Sequence, residues 1–520
     1  MYSSKKLLIG NLLTASTRNY PDKELTVFGE ARLTYRMVDE RANRLANAIL
    51  GLGMKRGDRC AILFYNRNEW MEVNFGLART GVIAVPINFR FSEAEAEYVL
   101  NNSEPKTLIY EEAFSPLVEA IRTKVPSLQH FICLGKGPDI NYEKWIAAAS
   151  ATEPKCQVEE TDPFFIGYTS GTTGFPKGAV VSHRNLICHY ALLPAQYGYI
   201  TYTDRLLLIM PFFHSNSTWH SQVAVMMGAS IVVYQSGGFN PEEILSIMDK
   251  EKVTLVSVVP TMLTMILNLP DAVKAKYDVS SMKGIMCGSA PLMTHTKEQT
   301  MAFFKNAYMF EGYGATETGI VTNLAPHEQI RKVRSVGRCA VGKEIRLLDE
   351  EGKDVPPGEV GELYTRGLGV LLVEYWRNPE GTAKAFRDDW CTVGDMARID
   401  EEGFYYLEDR KADMIISGGE NVYPTEVENV LARHPAVLES AVVSMPDELW
   451  GEKVHAVVVL REGIKLTSEE LIDFCRDKLA GYKRPKSVDF VKELPKNPTG
   501  KILRRKVRES YWGKGKSLYV

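Results

Sequence analysis

The sequence lacks any cysteine pattern that would hold zinc or build a disulfide framework. Its eight cysteines, Cys60, Cys133, Cys156, Cys188, Cys287, Cys339, Cys391 and Cys475, are scattered, with no CxxC pair and no Cys/His ligand spacing. A reduced, cytoplasmic compartment without structural zinc is the expectation. Long apolar runs are missing too. The stretches 253–260 and 209–213 are far short of the roughly 18 residues that cross a bilayer, so no transmembrane segment is expected. Charge of one sign is not in excess: 62 basic against 65 acidic side chains leave a net charge of −3, which argues against a polyanion-binding surface and against nucleic acid as a partner. The N-terminal stretch 1–16 has a basic pair and a short apolar run, but Gly10 and Asn11 interrupt it, and it reads as an opening helix instead of a signal. There is no internal repeat and no low-complexity segment.

What is present is far more chain than one core can use. At 520 residues, 45% hydrophobic and 24% charged, two or more domains are expected. From about 26 to 270 strand-like apolar runs alternate with amphipathic helical ones, the pattern of a layered α/β body. The segment 34–52 carries Met37, Leu45, Ala48 and Ile49 at helical intervals, with Gly51 and Gly53 as a stop. Between 331 and 409 short strands and turn signals predict a β-rich subdomain. Beyond Arg410 a compact α+β unit is expected. There Pro424 is placed for the first turn of a helix carrying Val427, Val430 and Leu431. Thr467 and Glu470 form a capping-box pattern for a helix bearing Leu471, Phe474 and Leu479, closed by Gly481. The fold class expected is therefore α/β multidomain, with an N-terminal body over 1–410 and a small C-terminal domain over 411–520.

The strongest local signal is Tyr168-Thr-Ser-Gly-Thr-Thr-Gly-Phe-Pro-Lys-Gly178. Small hydroxyl residues between glycines let backbone N–H groups converge on phosphate oxygens. Thr169, Ser170, Gly171, Thr172, Thr173 and Gly174 fit that role, with Lys177 adding charge. A Walker A loop needs Gly-Lys-Ser/Thr leading into a helix. Here Lys177 lies between Pro176 and Gly178 and a second strand-like run follows, which disfavours a P-loop kinase or GTPase.

Further ordered segments are Gly312-Tyr-Gly-Ala-Thr-Glu-Thr-Gly319, Thr392-Val-Gly-Asp395, Asp409-Arg410, Ser417-Gly-Gly-Glu-Asn421 and Pro495-Lys-Asn-Pro-Thr-Gly-Lys501. Together with the phosphate loop they make the chain, over nearly its whole length, resemble the adenylate-forming family of acyl-CoA synthetases, luciferases and peptide-synthetase adenylation domains. Gly312 and Gly314 permit close backbone approach to a flat substrate, Tyr313 offers an aromatic face for adenine, and Thr316 offers a donor to the α-phosphate. Glu317 suits Mg2+, which prefers oxygen ligands shared with substrate phosphates, and Thr169 is a second oxygen for it. The resemblance implies that Asp395 holds the ribose hydroxyls and that Arg410 is a second ribose or phosphate contact. Lys501 looks like the family's mobile adenylation lysine, stabilising charge that builds on the phosphoryl oxygens; the alternative is a basic tail with Arg504, Arg505 and Lys506.

The resemblance further implies two half-reactions, acyl-AMP formation and thiol attack, between which the small domain turns about a pivot near Arg410. Lys501 serves the first and Ser417, Gly418 and Gly419 the second, where glycines suit a narrow pantetheine channel. One residue departs from the family: the pivot two positions after the arginine is usually Asp or Lys, and here it is Ala412. For coenzyme A, Trp450 offers an aromatic surface and Tyr482, Arg484 and Lys486 a basic segment; a buried anchor and a solvated helix end are the alternatives. By resemblance the acid pocket is lined by His214, Val259, Pro260, Gly288 and Gly312 to Ala315, and Gly288, Ser289 and Ala290 are also cofactor-binding positions. His214 gates the carboxylate there or is simply a core histidine. Trp219, Met226 and Met227 allow a broad apolar lining for a medium-chain, long-chain, alicyclic or aromatic acid. The expected activity is ATP- and Mg2+-dependent ligation of a carboxylic acid to coenzyme A. Transfer to a carrier protein or other acceptor, and an inactive adenylate-binding protein, are the rival readings. A homodimer and peripheral membrane contact are left open.

Overall fold

The computed structural model describes residues 6–169, 176–197, 200–235, 237–289, 292, 294–410, 413–417, 420–447, 451–476, 478–496 and 502–512. The chain divides into two compact units, the larger comprising Met1–Val333, Gly337–Glu344 and Thr365–Cys391, the smaller Arg334–Val336, Ile345–Tyr364 and Thr392–Val520. The architecture is multidomain α/β, with a large N-terminal body.

The larger unit is built on two sheets of nine and eight strands. The middle of the nine-stranded sheet is parallel, with Arg205–Leu208, Leu255–Val258, Gly284–Cys287 and Tyr308–Ala315 side by side. Such strands are apolar on both faces because helices cover both. Arg205–Leu208 shows the two-residue period directly: Leu206 and Leu208 enter one core with Ile62, Phe164 and Trp70, while Leu207 enters another with Val256 and Ile285.

Helix Tyr35–Gly51 forms on the expected segment, and Thr34 Oγ1 accepts from Met37 N at 3.3 Å to cap it. Its buried face runs through Tyr35, Val38, Ala42, Leu45 and Ile49. Met37 lies off that stripe and is 43% exposed, so it is not the core position its hydropathy predicted. The opening helix is Ile9–Asn19.

In the smaller unit, short antiparallel strands precede Arg410, with Asp395 opposite Arg410. Val437–Asp447 and Gly451–Leu460 then pair along their length. Helix Pro424–Leu431 has Pro424 in its first turn. The capping box is present: Thr467 Oγ1 accepts from Glu470 N and Glu470 Oε2 accepts from Thr467 N at 2.8 Å, an arrangement that contributes about 1 kcal/mol. That helix stops at Phe474, and Leu479 joins the same core from beyond its end.

Among the described residues no helix is long and apolar enough to cross a membrane, and all eight cysteines are free.

Candidate active site

Two β-hairpins in the larger unit carry the polar groups that the motifs single out. Pro163–Thr169 and Lys177–Ser182 pair antiparallel with Thr169 opposite Lys177, so the phosphate-loop sequence joins two strands. That is strand–loop–strand, not the strand–loop–helix of a Walker A site. The second hairpin pairs Tyr308–Ala315 with Gly319–Leu324, Ala315 facing Gly319. Thr316, Glu317 and Thr318 form its tip, and Gly319 closes it at φ +65°, the left-handed conformation that three-residue hairpin loops need. The strands pack so closely that a Cβ on Gly314 would lie 2.2 Å from Gly319 O.

The hairpins meet at Glu317. Its Oε1 accepts from Thr169 Oγ1 at 3.2 Å and from the Tyr375 hydroxyl at 2.8 Å, while its backbone carbonyl accepts from Leu371 N and Leu372 N. Its other oxygen, Oε2, has no partner among the described residues. A carboxylate with one oxygen pinned and one free, beside a threonine hydroxyl, fits a hard cation that shares its remaining positions with phosphates and water. Among the described residues no group of three or more His, Cys, Asp or Glu side chains forms a metal cage. Lys177 Nζ lies 5.3 Å from the Tyr375 ring centroid, so one aromatic ring touches both the lysine and the carboxylate.

Tyr375 and Lys343 are residues that sequence reasoning missed. Lys343 is buried and donates from Nζ to Thr318 O at 2.8 Å, bracing the hairpin tip behind Glu317. Burial pulls its pKa down to about 7. The only sequence signal for Tyr375 is its place in the aromatic pair before Arg377-Asn378-Pro379, and for Lys343 there is none.

The parallel strands of the nine-stranded sheet end on the side of this hairpin tip, the place where a ligand crevice is expected in such sheets. In open α/β sheets ligands sit outside the carboxyl ends of the strands, and here Arg205–Leu208 runs on to His214, Leu255–Val258 to Pro260, Gly284–Cys287 to Ser289, and Tyr308–Ala315 to Thr316. His214 N-caps helix Ser215–Met227, its Nδ1 accepting from Asn216 N at 3.3 Å. This fixes the proton on Nε2. Burial lowers its pKa to about 4, so at neutral pH it is an uncharged donor. Ser215 Oγ lies 3.2 Å from Thr316 Oγ1, linking this crevice to the hairpin tip. Ser289 takes φ 66°, a strained conformation of the kind that clusters at ligand sites. Gly288 lets its strand approach Gly312 O, which a Cβ would meet at 3.1 Å. Tyr313 is buried, with 9% of its surface exposed. Trp219 is likewise in the core, edge-on to His189, while Met226 and Met227 pack at the core's margin.

Buried neutral histidines make stability pH-dependent. Burial lowers His183 to about 4 and His189 to about 3, while the unfolded chain binds the same protons near 6.5. The unfolded state therefore holds more protons between these values, and stability falls as pH drops from about 6.5 toward 4. For His189 the loss between pH 7 and 5 is about 2 kcal/mol. His189→Gln is expected to flatten the pH dependence of the unfolding midpoint over that range, since carboxylates act equally in both proteins; parallel curves would refute it.

In the smaller unit Asp395 and Arg410 are cross-strand neighbours, and Gly394 precedes Asp395 at φ +79°. Arg484 donates from Nε to Leu479 O at 2.9 Å, and its two Nη groups have no partner among the described residues. Lys486 Nζ donates to Gly481 O at 2.7 Å, and Tyr482 packs partly against the core. Ser170, Gly171, Thr172, Thr173, Gly174, Ala290, Ala412, Gly418, Gly419, Trp450 and Lys501 lie outside the described residues, as does the side chain of Arg410.

Family models match this arrangement over most of the chain: AMP-binding enzyme over residues 13–376 and AMP-binding enzyme C-terminal domain over 426–501. The chain belongs to the AMP-binding enzyme family. Within this adenylate-forming family it is an AMP-forming ligase of the acyl-CoA synthetase branch. It is 36% identical to the long-chain-fatty-acid–CoA ligase FadD13 of Mycobacterium tuberculosis, over 93% of this chain and 94% of that protein. It is 34% identical to the fatty acid–[acyl-carrier-protein] ligase ScoC of Streptomyces coeruleorubidus, over 92% of each. Among solved structures, the anthranilate CoA ligase AuaEII in complex with anthranoyl-AMP aligns with a TM-score of 0.91 at 30% identity, over 97% of each chain.

Proposed function

We propose that this AMP-binding enzyme joins a carboxylic acid to coenzyme A in two steps, acid plus MgATP giving acyl-AMP and pyrophosphate, then acyl-AMP plus CoA giving acyl-CoA and AMP. The observation that carries the reading is the junction of Thr169, Tyr375 and Glu317 beside the Ser215–Thr316 contact, because it sets a cation-binding carboxylate and α-phosphate donors against a crevice with a neutral histidine. Glu317 and Thr169 would hold Mg2+, which would supply charge neutralisation for the phosphates when bound. Thr316 and the phosphate-loop residues 169–174 orient the α-phosphate, and Lys177 adds charge. His214 Nε2–H donates to the acid's carboxylate without competing for its proton. Tyr313 with Gly312 and Gly314 takes adenine, Asp395 and Arg410 take the ribose, and Lys501 stabilises the charge that develops on the phosphoryl oxygens.

The C-terminal domain over 411–520 then turns about Ala412 and brings Gly418 and Gly419 to the pantetheine arm. Tyr482, Trp450, Arg484 and Lys486 receive the CoA nucleotide, a role supported by the unpartnered Nη groups of Arg484. Ala412 lacks the side chain that could favour one rotational state. Ala412→Lys is expected to change the ratio of adenylation to thioester-formation rates, and two unchanged rates would remove this role.

The acid is of medium or long chain, or alicyclic or aromatic, and the location is the cytoplasm. The likeness to ScoC keeps one rival, transfer to a carrier protein. Supplying free CoA to enzyme, ATP and an adenylated acid separates the two. The expected result is stoichiometric acyl-CoA and AMP; acyl-AMP that accumulates with CoA present, and is discharged only by a carrier protein, would reject CoA as acceptor.

A further inference from the structure

Helix Ser215–Met227 is buried along almost its whole length, packed against strands Arg205–Leu208, Ser230–Val233 and Leu255–Val258 on one side and against helices Ile9–Asn19 and His183–Tyr197. Every residue from Ser215 through Val225 is buried except Asn216. Asn216 is thus the one partly exposed residue of that run, next to Ser215 and its contact with Thr316.

The orientation of this amide is set by a second residue. Ser257, 4% exposed near the end of strand Leu255–Val258, lies with Oγ 2.9 Å from Asn216 Oδ1. A buried hydroxyl must give its proton to an acceptor, and Oδ1 is the acceptor it has. The amide is thus pinned with its oxygen inward. Its Nδ2 has no hydrogen-bond partner among the described residues, and both N–H groups remain to be used. His220 Nδ1 lies 2.8 Å from Asn216 O, and His220 Nε2 lies 3.1 Å from Met286 Sδ.

Resting on the ligase reading above, we infer that Asn216 is a specificity-determining residue and that the acid carries an acceptor oxygen, a hydroxyl, carbonyl or ether, which receives a hydrogen bond from Asn216 Nδ2. A hydrocarbon acid seated in the same crevice would strip water from an amide and leave it unpaired. A site built to hydrogen-bond a substrate discriminates strongly against the analogue that lacks the group, whereas an apolar pocket barely distinguishes the two. Ser215 and Ser257, the neighbours of this amide, are themselves buried, so water does not replace the missing partner cheaply.

The experiment compares kcat/KM for matched acids in the full-length enzyme with ATP, Mg2+ and CoA: beta-hydroxyoctanoate against octanoate, salicylate against benzoate, and para-coumarate against cinnamate. At least one oxygenated acid is expected to exceed its partner by about tenfold or more. Asn216→Leu, which keeps the volume and removes the donor, should bring that ratio to about one, chiefly by lowering the oxygenated acid. Ser257→Ala unpins the amide with little change of packing and should give an intermediate ratio. Ratios near one or reversed for all three pairs in the natural enzyme, or a ratio that survives both substitutions, overturn the inference while leaving the ligase reading intact. If no acid of either kind releases AMP and pyrophosphate, the ligase reading itself fails and this inference falls with it.

Discussion

Lys501→Ala is expected to lower acid-dependent ATP–pyrophosphate exchange by about a hundredfold to a thousandfold, the cost of removing one charged donor from a developing oxyanion. The same variant should convert supplied acyl-AMP and CoA to acyl-CoA at close to the normal rate, because the thiol attack needs no charge stabilisation from this ammonium. The separation of the two half-reactions is what gives the test its force. A merely destabilised C-terminal domain would impair both, and equal loss of both would contradict the assigned role. The expectation comes from Lys501 standing in Pro-Thr-Gly-Lys near the end of the sequence, and it is independent of the side-chain geometry in the larger unit.

Glu317→Gln should be the most damaging change in that larger unit. The amide keeps the shape and can still accept from Tyr375 and Thr169 through its oxygen, but the position of the free Oε2 is taken by an NH2 group, which cannot bind a cation. Loss of a metal-bridging carboxylate removes several kcal/mol of charge stabilisation, so adenylation should fall by about a hundredfold or more, with partial recovery as Mg2+ is raised. Tyr375 and Thr169 hold Oε1 in either variant, so the melting midpoint should change little. A normal rate at low Mg2+ would show that the cation is held elsewhere.

Local features were readable from the sequence where neighbours along the chain decide the outcome. The helical interval in 35–51, Pro424 at a helix start and the Thr467–Glu470 capping box all depend on residues within a turn or two of each other. The strand–loop–strand form of the phosphate loop followed from the apolar runs on either side of it. Met37 misled because hydropathy alone does not say which stripe of a helix faces the core.

Contacts between elements far apart in the chain were not readable. Tyr375 reaches Glu317 from 58 positions away, Lys343 reaches Thr318 from 25, and Ser257 reaches Asn216 from 41. Each of these pairs joins two separate elements, Tyr375 of the eight-stranded sheet to a hairpin tip of the nine-stranded one, Lys343 to that same tip, and a strand serine to a helix, and composition and spacing carry no record of how such elements pack. The motif Gly312 to Gly319 likewise gave its residues but not its form; the tip of a hairpin closed by a left-handed glycine emerges only once Ala315 is seen opposite Gly319.

The most direct test of the central claim is acid-dependent exchange of labelled pyrophosphate into ATP by the purified enzyme with Mg2+, followed by addition of CoA. The account predicts that at least one carboxylic acid drives the exchange, that ATP is cleaved to AMP and pyrophosphate, and that CoA converts the adenylate to a thioester. ATP binding with no exchange for any short, medium, long, alicyclic or aromatic acid would contradict it.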